Sequence, residues 1–429
     1  MNMSEQKRIV IVDGYSTGRD LVRELLDRDV ECLHLRSTGQ VPASVAKSFD
    51  PAPYDADLGY LGGVEAASEV LATLAPDEVI AGSEFGVTFA ERLAHRMGLP
   101  TNRIETLAAR RDKFAMTEAV RGHGLLAPEQ EAVTSGAAAH AWAARHAVWP
   151  IVMKPMASAG SDGVTICHDH ADIDAAMQRI LGRGNFIGGV NDRVLMQSFL
   201  AGPQFIVNSV SRGGRHYVSD IWSMDVAVSG ASVVPGGIDL LDPREKRAAA
   251  LMEYTLDALD ALGIENGAGH SELKWTPKGP ALIETGARIM GAAMDRASYE
   301  AAGIASHAMV FARSLLAGAA GRDALFNRRH YAPRRHMTKL LFNFGQAAEV
   351  VSTEGLARLR ALPSFHAHYR GIGRGARVWK TQDWLCCGGV VYLIHDERRQ
   401  IEADIATFRK WESEGLLYGL APLDALAEA

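Results

Sequence analysis

Two glutamates, Glu272 and Glu284, stand on either side of the turn signal Pro277-Lys278-Gly279 in the stretch HSELKWTPKGPALIETGARIMG, residues 270–291. Apolar-rich runs flanking such a signal predict a β-hairpin. A hairpin symmetric about Lys278 sets the two carboxylates directly opposite one another. Like charges in that position destabilise a sheet, so the pattern calls for a cation between them. Hard divalent ions such as Mg²⁺ take oxygen ligands, often one or two carboxylates completed by phosphates. Arg288 shares the strand parity of Glu284, and His270 that of Glu272, so both are expected on the same face. A solvated hairpin face with no ligand is the plain alternative.

Two lysines precede the hairpin: Lys113 in RRDKFAM, and Lys154 in the apolar strand PIVMKP, just before the small-residue loop ASAGSDG at 157–163. Lysines supply point charges for phosphate, and small residues let backbone N–H groups approach phosphate oxygens. Neither GxxxxGK[ST] nor GxGxxG occurs, which excludes a P-loop and a dinucleotide fingerprint. In VLMQSFLAGPQF an extended segment could offer backbone groups to an adenine edge, with Gln197 and Gln204 as polar ends; a plain hairpin with two exposed glutamines is the alternative. Glu84, in GSEFG, could receive a substrate ammonium, or be a helix N-terminal carboxylate favoured by the macrodipole. Arg296 could fork onto a substrate carboxylate, or lie on a helix surface. His366, His368 and Trp384 are read as packing residues.

Positioning these groups requires several lobes. A chain of 429 residues is too long for one core. The first hundred residues alternate strand and helix: RIVIV (8–12), a helix capped at Ser16 or Thr17, ECLHL (31–35), a helix over 63–76, EVIAG (78–82) and a helix over 87–98. This predicts a doubly wound parallel α/β domain, with ligands beyond the carboxyl ends of its strands, at loops 13–18 and 82–86. A helix is expected from Lys113, another from about Asp172, and a third over 243–262 with Asp242 as N-cap and Glu245 completing a capping box. Strands are expected at 150–155, 164–167, 194–200 and 204–211. Beyond about residue 330 the runs HMTKLLFNF and GGVVYLIH and a helical ending predict a smaller closing region. The division expected is 1–110, 111–195, 196–330 and 331–429.

A net charge of −6 gives no support for nucleic acid or an acidic membrane as partner. No apolar run nears the roughly 18 residues of a membrane span, and the N-terminus enters a strand without a signal-peptide apolar region. The cysteines Cys32, Cys167, Cys386 and Cys387 form no CxxC. A reduced cytoplasmic protein without structural zinc is expected.

The order of these features resembles the ATP-grasp superfamily over about residues 8–395. AGSEFGV, LAHRMGLPTN, RRDKFAM, KPMASAGSDGV, GHSELKWTPKGPALIE and LPSFHAHY are most similar to its ATP-dependent L-amino acid ligases. The resemblance implies an N-terminal α/β domain, two α+β lobes clasping ATP, and a C-terminal closing region. It places Lys113 and Lys154 on the phosphates beneath loop residues Ser158, Gly160, Ser161 and Gly163. Gln197, Phe199 and Leu200 fall at adenine, Gln204 at ribose, Glu272 and Glu284 on Mg²⁺ (or Mn²⁺), and Arg288 on the charged intermediate. It implies small acids and amines as substrates and allows a homodimer. Gln197 and Gln204 stand where glutamate is usual. Gly286 stands where an asparagine commonly helps to hold a second metal. These three departures favour the alternative of a non-catalytic nucleotide-binding module; an oxidoreductase is opposed by the missing GxGxxG.

Overall fold

The computed structural model describes residues 6–26, 28, 30–158, 162–185, 189–229, 232–381 and 388–423. Gly160, Ser161, Trp384, Cys386 and Cys387 lie outside the described residues; Cys32 and Cys167 are buried free thiols. Compactness groups the chain into two units built from discontinuous segments: 1–220 with 246–294 and 306–330, and 221–245 with 295–305 and 331–429.

The first unit opens with the expected parallel sheet, in the order Ala56–Asp57, Glu31–Leu35, Arg8–Val12, Glu78–Ala81. Helices Val64–Leu74 and Val87–Arg96 bury Leu71, Ala90, Leu93 and Ala94 against it. The strand order reverses around Arg8–Val12, so the loops that follow Val12 and Ala81 flank the crevice where such sheets bind ligands. Glycines press these loops together. A Cβ on Gly82 would lie 2.7 Å from Gly14 Cα, and one on Gly86 2.4 Å from the Val12 carbonyl oxygen.

Next comes an antiparallel sheet in the order Gln130–Val133, Val194–Ser198, Ile151–Pro155, Thr165–Cys167. The Ala-rich stretch before Trp149, given no element from sequence, supplies its first strand and the helix Gly136–His146, N-capped by Ser135. This helix and His170–Ile180 cover one face, where Ile151, Met153, Val194 and Met196 are buried. Alternation therefore turns Lys154 and Gln197 to the other face. The helix Lys113–Gly122, N-capped by Asp112, begins as expected.

A second sheet region carries the hairpin. Gly267–Thr276 pairs antiparallel with Gly279–Gly286 on one side and with Gln204–Arg212 on the other. Val194–Ser198 and Gln204–Arg212 thus belong to different sheets, which corrects the plain-hairpin alternative. Residues 199–203 cross between them. The crossing is tight: a Cβ on Gly202 would lie 2.0 Å from the Trp275 carbonyl oxygen, and Trp275 N–H donates to Pro203 O at 2.9 Å. The helix over Lys246–Ala261 starts three residues later than the capping-box reading, because Asp242 accepts from Arg244 N–H at 2.9 Å in a turn that precedes it.

The second unit pairs the far part of Arg215–Ser229 with Ser232–Leu240 and then, in order, His336–Leu341, Val390–His395 and Phe365–Tyr369. The helix Arg398–Ser413 buries Ile401 and Phe408 against this sheet. His368 packs its ring on Phe342, with centroids 5.2 Å apart, as a packing residue should.

One buried ion pair ties distant parts of the first unit. Arg110 is fully buried, and each of its N–H groups has an acceptor: Glu91 takes Nε and Nη2, Arg103 O takes Nη2, and Thr106 Oγ1 and Leu262 O take Nη1, at 2.6–2.9 Å. Removing one partner of such a pair leaves an uncompensated buried charge, which costs about 3–5 kcal/mol. Arg110→Met should lower unfolding free energy by that order in denaturant melts, and adding Glu91→Leu should recover part of it.

Candidate active site

Glu272 and Glu284 are cross-strand partners, as the spacing requires, but by a different route. The turn is a two-residue loop, Pro277-Lys278, so Thr276 pairs with Gly279 and Leu273 with Leu282. A β-bulge at Ile283 then shifts the register by one and brings Glu284 opposite Glu272. The bulge also changes which side faces out. Leu282 and Leu273 are buried in the core, while Glu284 turns to the face of Glu272.

The repulsion between the carboxylates is offset by named neighbours. Lys113 Nζ lies 2.7 Å from Glu284 Oε2 and donates to Ser158 O at 3.1 Å. Gln204 Nε2 donates to Glu272 Oε2 at 2.8 Å, and His270 Nε2 lies 3.6 Å from Glu272 Oε1. Burial alone would raise the Glu284 carboxyl; Lys113 first, then Lys154 and Arg288, outweigh it and hold the group well below the usual carboxylate range. Lys154 is 4 % exposed. Burial, with Lys113 adding repulsion, pulls its ammonium down to about 8 against the pull of Glu284 and Glu272.

These groups suit a hard cation. The donors are carboxylate oxygens, and among the described residues no third His, Cys, Asp or Glu completes a metal cluster. A cation held by two carboxylates leaves most of its shell to phosphates and water, which is the habit of Mg²⁺ rather than of a structural zinc.

Arg288 lies beyond the end of the strand at Gly286, so strand parity does not place it. Its Nε donates to Glu84 Oε2 at 2.9 Å and its Nη1 to Ile289 O at 3.1 Å. The other Glu84 oxygen pairs with Arg111. Burial would raise the Glu84 carboxyl, but Arg288 and Arg111 keep it low and ionised. Both oxygens are thus taken by guanidiniums, and a substrate ammonium would have to compete with them. A Cβ on Gly286 would lie 2.9 Å from Glu84 Oε2 and 3.2 Å from Arg288 Cζ. The space of the usual asparagine is filled by this pair. Arg111 was missed in the sequence because RRDK offers two arginines and nothing there says that one is buried and the other faces the site.

The remaining residues divide. Gln197 gives its amide to Thr117 Oγ1 and Gln130 Oε1, at 3.1 and 2.9 Å, so its side chain is spent inside the sheet. Phe199 is 37 % exposed, and the backbone of 199–201 makes no backbone hydrogen bond among the described residues. Gln204 sits at Glu272 rather than standing apart from the hairpin. Ser158 Oγ donates to Asp162, and Gly163 takes φ +70 where a Cβ would press Pro155. Arg296 belongs to the second unit, where it pairs with Glu300 one turn along its helix.

Behind His270 runs a buried polar chain. His270 Nδ1 meets Asn208 Oδ1 at 2.8 Å, and Asn208 Nδ2 donates to Asp220 and to Met290 Sδ. His307 closes the loop after the hairpin: Met290 N–H donates to its Nδ1 at 3.1 Å, so Nε2 carries the proton, donated to Ser209 O at 2.8 Å. Burial keeps this imidazole neutral, lowering it despite Asp220.

No family model matches the chain. The dapdiamide A synthase of Enterobacter agglomerans is 30% identical over 427 residues, covering 97% of this chain and 99% of that one. Among solved structures, the L-amino acid ligase of Bacillus licheniformis superposes with a TM-score of 0.73 at 17% identity, over 98% of this chain and all of that one. The N5-carboxyaminoimidazole ribonucleotide synthetase of Thermotoga maritima does so with 0.64 at 14%, over 97% of this chain. The chain belongs to the ATP-grasp superfamily and resembles its L-amino acid ligases. Its activity is ATP-dependent formation of a carbon–nitrogen bond.

The His307 geometry has a pH signature. Below about pH 6.5 the unfolded chain takes up a proton that the folded imidazole refuses. Stability should therefore fall as pH drops from 6.5 to 5. His307→Gln, less stable at neutral pH, should show a shallower fall in denaturant melts over that range.

Proposed function

We propose that the protein joins the carboxylate of one amino acid or similar small acid to the amine of a second, through an acyl phosphate, in the assembly of a dipeptide-like natural product. The single observation that carries the reading is the cross-strand Glu272–Glu284 pair with Lys113 and Lys154 beside it. The full-length similarity to a dapdiamide A synthase supports the product class.

In this reading Lys113 and Lys154 hold the phosphates, beneath the segment that contains Ser158, Gly160, Ser161 and Gly163. The backbone around Phe199 and Leu200 takes the adenine edge, and Gln204 reaches the ribose side. Glu272 and Glu284 hold Mg²⁺, which neutralises phosphate charge when bound. A substrate carboxylate attacks the γ-phosphate and ADP leaves; the chain mainly positions the reactants, as phosphoryl transfer requires. The second substrate's amine attacks the carbonyl, the C–N bond forms, and phosphate departs. Arg288 stabilises the oxyanion of that tetrahedral intermediate. Gly286 supplies no side-chain ligand, so Glu272 and Glu284 would hold one Mg²⁺, and a second would have no side chain beyond Glu284 to hold it. The four-part division at 110, 195 and 330 follows the same reading, as does a cytoplasmic setting; no helix among the described residues is long and apolar enough to cross a membrane.

Incubation with ATP, Mg²⁺ and an amino acid panel should give ADP and phosphate only when a suitable acid–amine pair is present. AMP with pyrophosphate, or no turnover with any pair, would defeat the proposal. Glu284→Ala should abolish turnover while leaving the far-UV spectrum intact. Nucleotide binding should also depend on pH. Lys154 is charged below about pH 8 and phosphate favours the charged form. Affinity for ADP at saturating Mg²⁺ should therefore fall as pH rises through 8, a limb that calorimetry should find missing in Lys154→Met.

A further inference from the structure

We propose that Arg111 is the receptor for the spectator carboxylate of the amine-donating amino acid, and that Glu84 is the positioning residue that holds it beside Arg288. The proposal rests on the ligase reading above and names a contact that reading leaves open. An α-amino acid carries its amine and carboxylate on one carbon. A group that recognises the carboxylate must therefore lie next to the group that stabilises the reacting centre. Arg111 and Arg288 meet this requirement because they share one carboxylate, Glu84, through its two oxygens.

Neither guanidinium is used up by Glu84. Arg111 engages it through Nη1. Its Nε and Nη2 take no partner among the described residues, and the side chain as a whole is 16 % exposed. Arg288 spends Nε and Nη1 on Glu84 and Ile289 O and keeps Nη2. Two guanidiniums on one carboxylate leave a surplus positive charge, and a planar fork with open N–H groups suits a carboxylate. The third wall is Gly286. A side chain there would enter the space of Glu84 Oε2 and the Arg288 guanidinium. Glu84 is itself set by the glycine-packed loop 82–86. The site therefore fits an amino acid with a free α-carboxylate as amine donor, and disfavours its carboxamide.

The test compares an amino acid with its carboxamide as amine donor, by product formation. Wild type should prefer the acid by about 10–100-fold in kcat/KM, the range of a charge-assisted hydrogen bond. In Arg111→Gln the loss should fall on the acid, mainly as a raised KM, and the acid-to-amide ratio should collapse towards one. In Glu84→Gln both donors should lose kcat, because Arg288 loses its anchor, and the ratio should shrink as well. ADP binding reports folding of each variant. If Arg111→Gln does not fold, Arg111→Lys carries the test, since it keeps charge without the fork and should retain only part of the preference. A wild-type ratio near one, or a ratio preserved in the Arg111 variant that folds, overturns the proposal. Absence of any amino-acid-dependent ADP in wild type would instead strike the ligase reading itself.

Discussion

Repulsion between two carboxylates is the constraint around which the first unit is arranged. A regular two-residue hairpin would pair Leu273 with Leu282 and continue, sending Glu284 to the same side as Leu282. The bulge at Ile283 prevents this. It leaves both leucines in the core and brings both glutamates to the other face, where they oppose each other. Helix Lys113–Gly122 packs so that Lys113 reaches Glu284, Gln204 comes from the next strand to Glu272, and Lys154 approaches from a different sheet. Each neighbour lowers the cost of an arrangement that a sheet would otherwise reject. The fold therefore maintains an acidic pair suited to a divalent cation that comes with phosphates.

The parallel N-terminal sheet takes part in the same electrostatics. Its loop 82–86 is pressed against the end of the strand Arg8–Val12 by glycines that tolerate no Cβ. Glu84 starts the short turn within that loop, and from there it binds Arg288 in the segment that follows the hairpin. The crevice beyond the carboxyl ends of the strands is where an open α/β sheet binds ligands. Here that crevice supplies an anion that orders two cations.

Much of this was legible in the sequence. The strand–helix alternation of the first hundred residues, the helix start at Lys113 and the facing of Glu272 and Glu284 all follow from local pattern. Symmetry about Lys278 predicts the facing, and the structure reaches it differently: a shorter turn and the bulge compensate, and neither leaves a mark that periodicity can read. Gln197 looked like an exposed polar end because its partners, Thr117 and Gln130, are remote in sequence. The strand Gln130–Val133 and helix Gly136–His146 were missed since alanine carries too little hydrophobic contrast to show a face. Arg111 could not be singled out because its importance comes from Glu84, twenty-seven residues earlier and on another element.

Gly286 and Glu84 occupy what is in effect one volume. A side chain at position 286 and a carboxylate held between Arg111 and Arg288 compete for it, since a Cβ there would lie 2.9 Å from Glu84 Oε2 and the ends of these side chains would have to shift. The two positions are distant in the chain, and yet a change at one must be met by a shift at the other. The glycine therefore decides how that volume is spent here: on an ordered pair of arginines rather than on a side chain that could reach a metal.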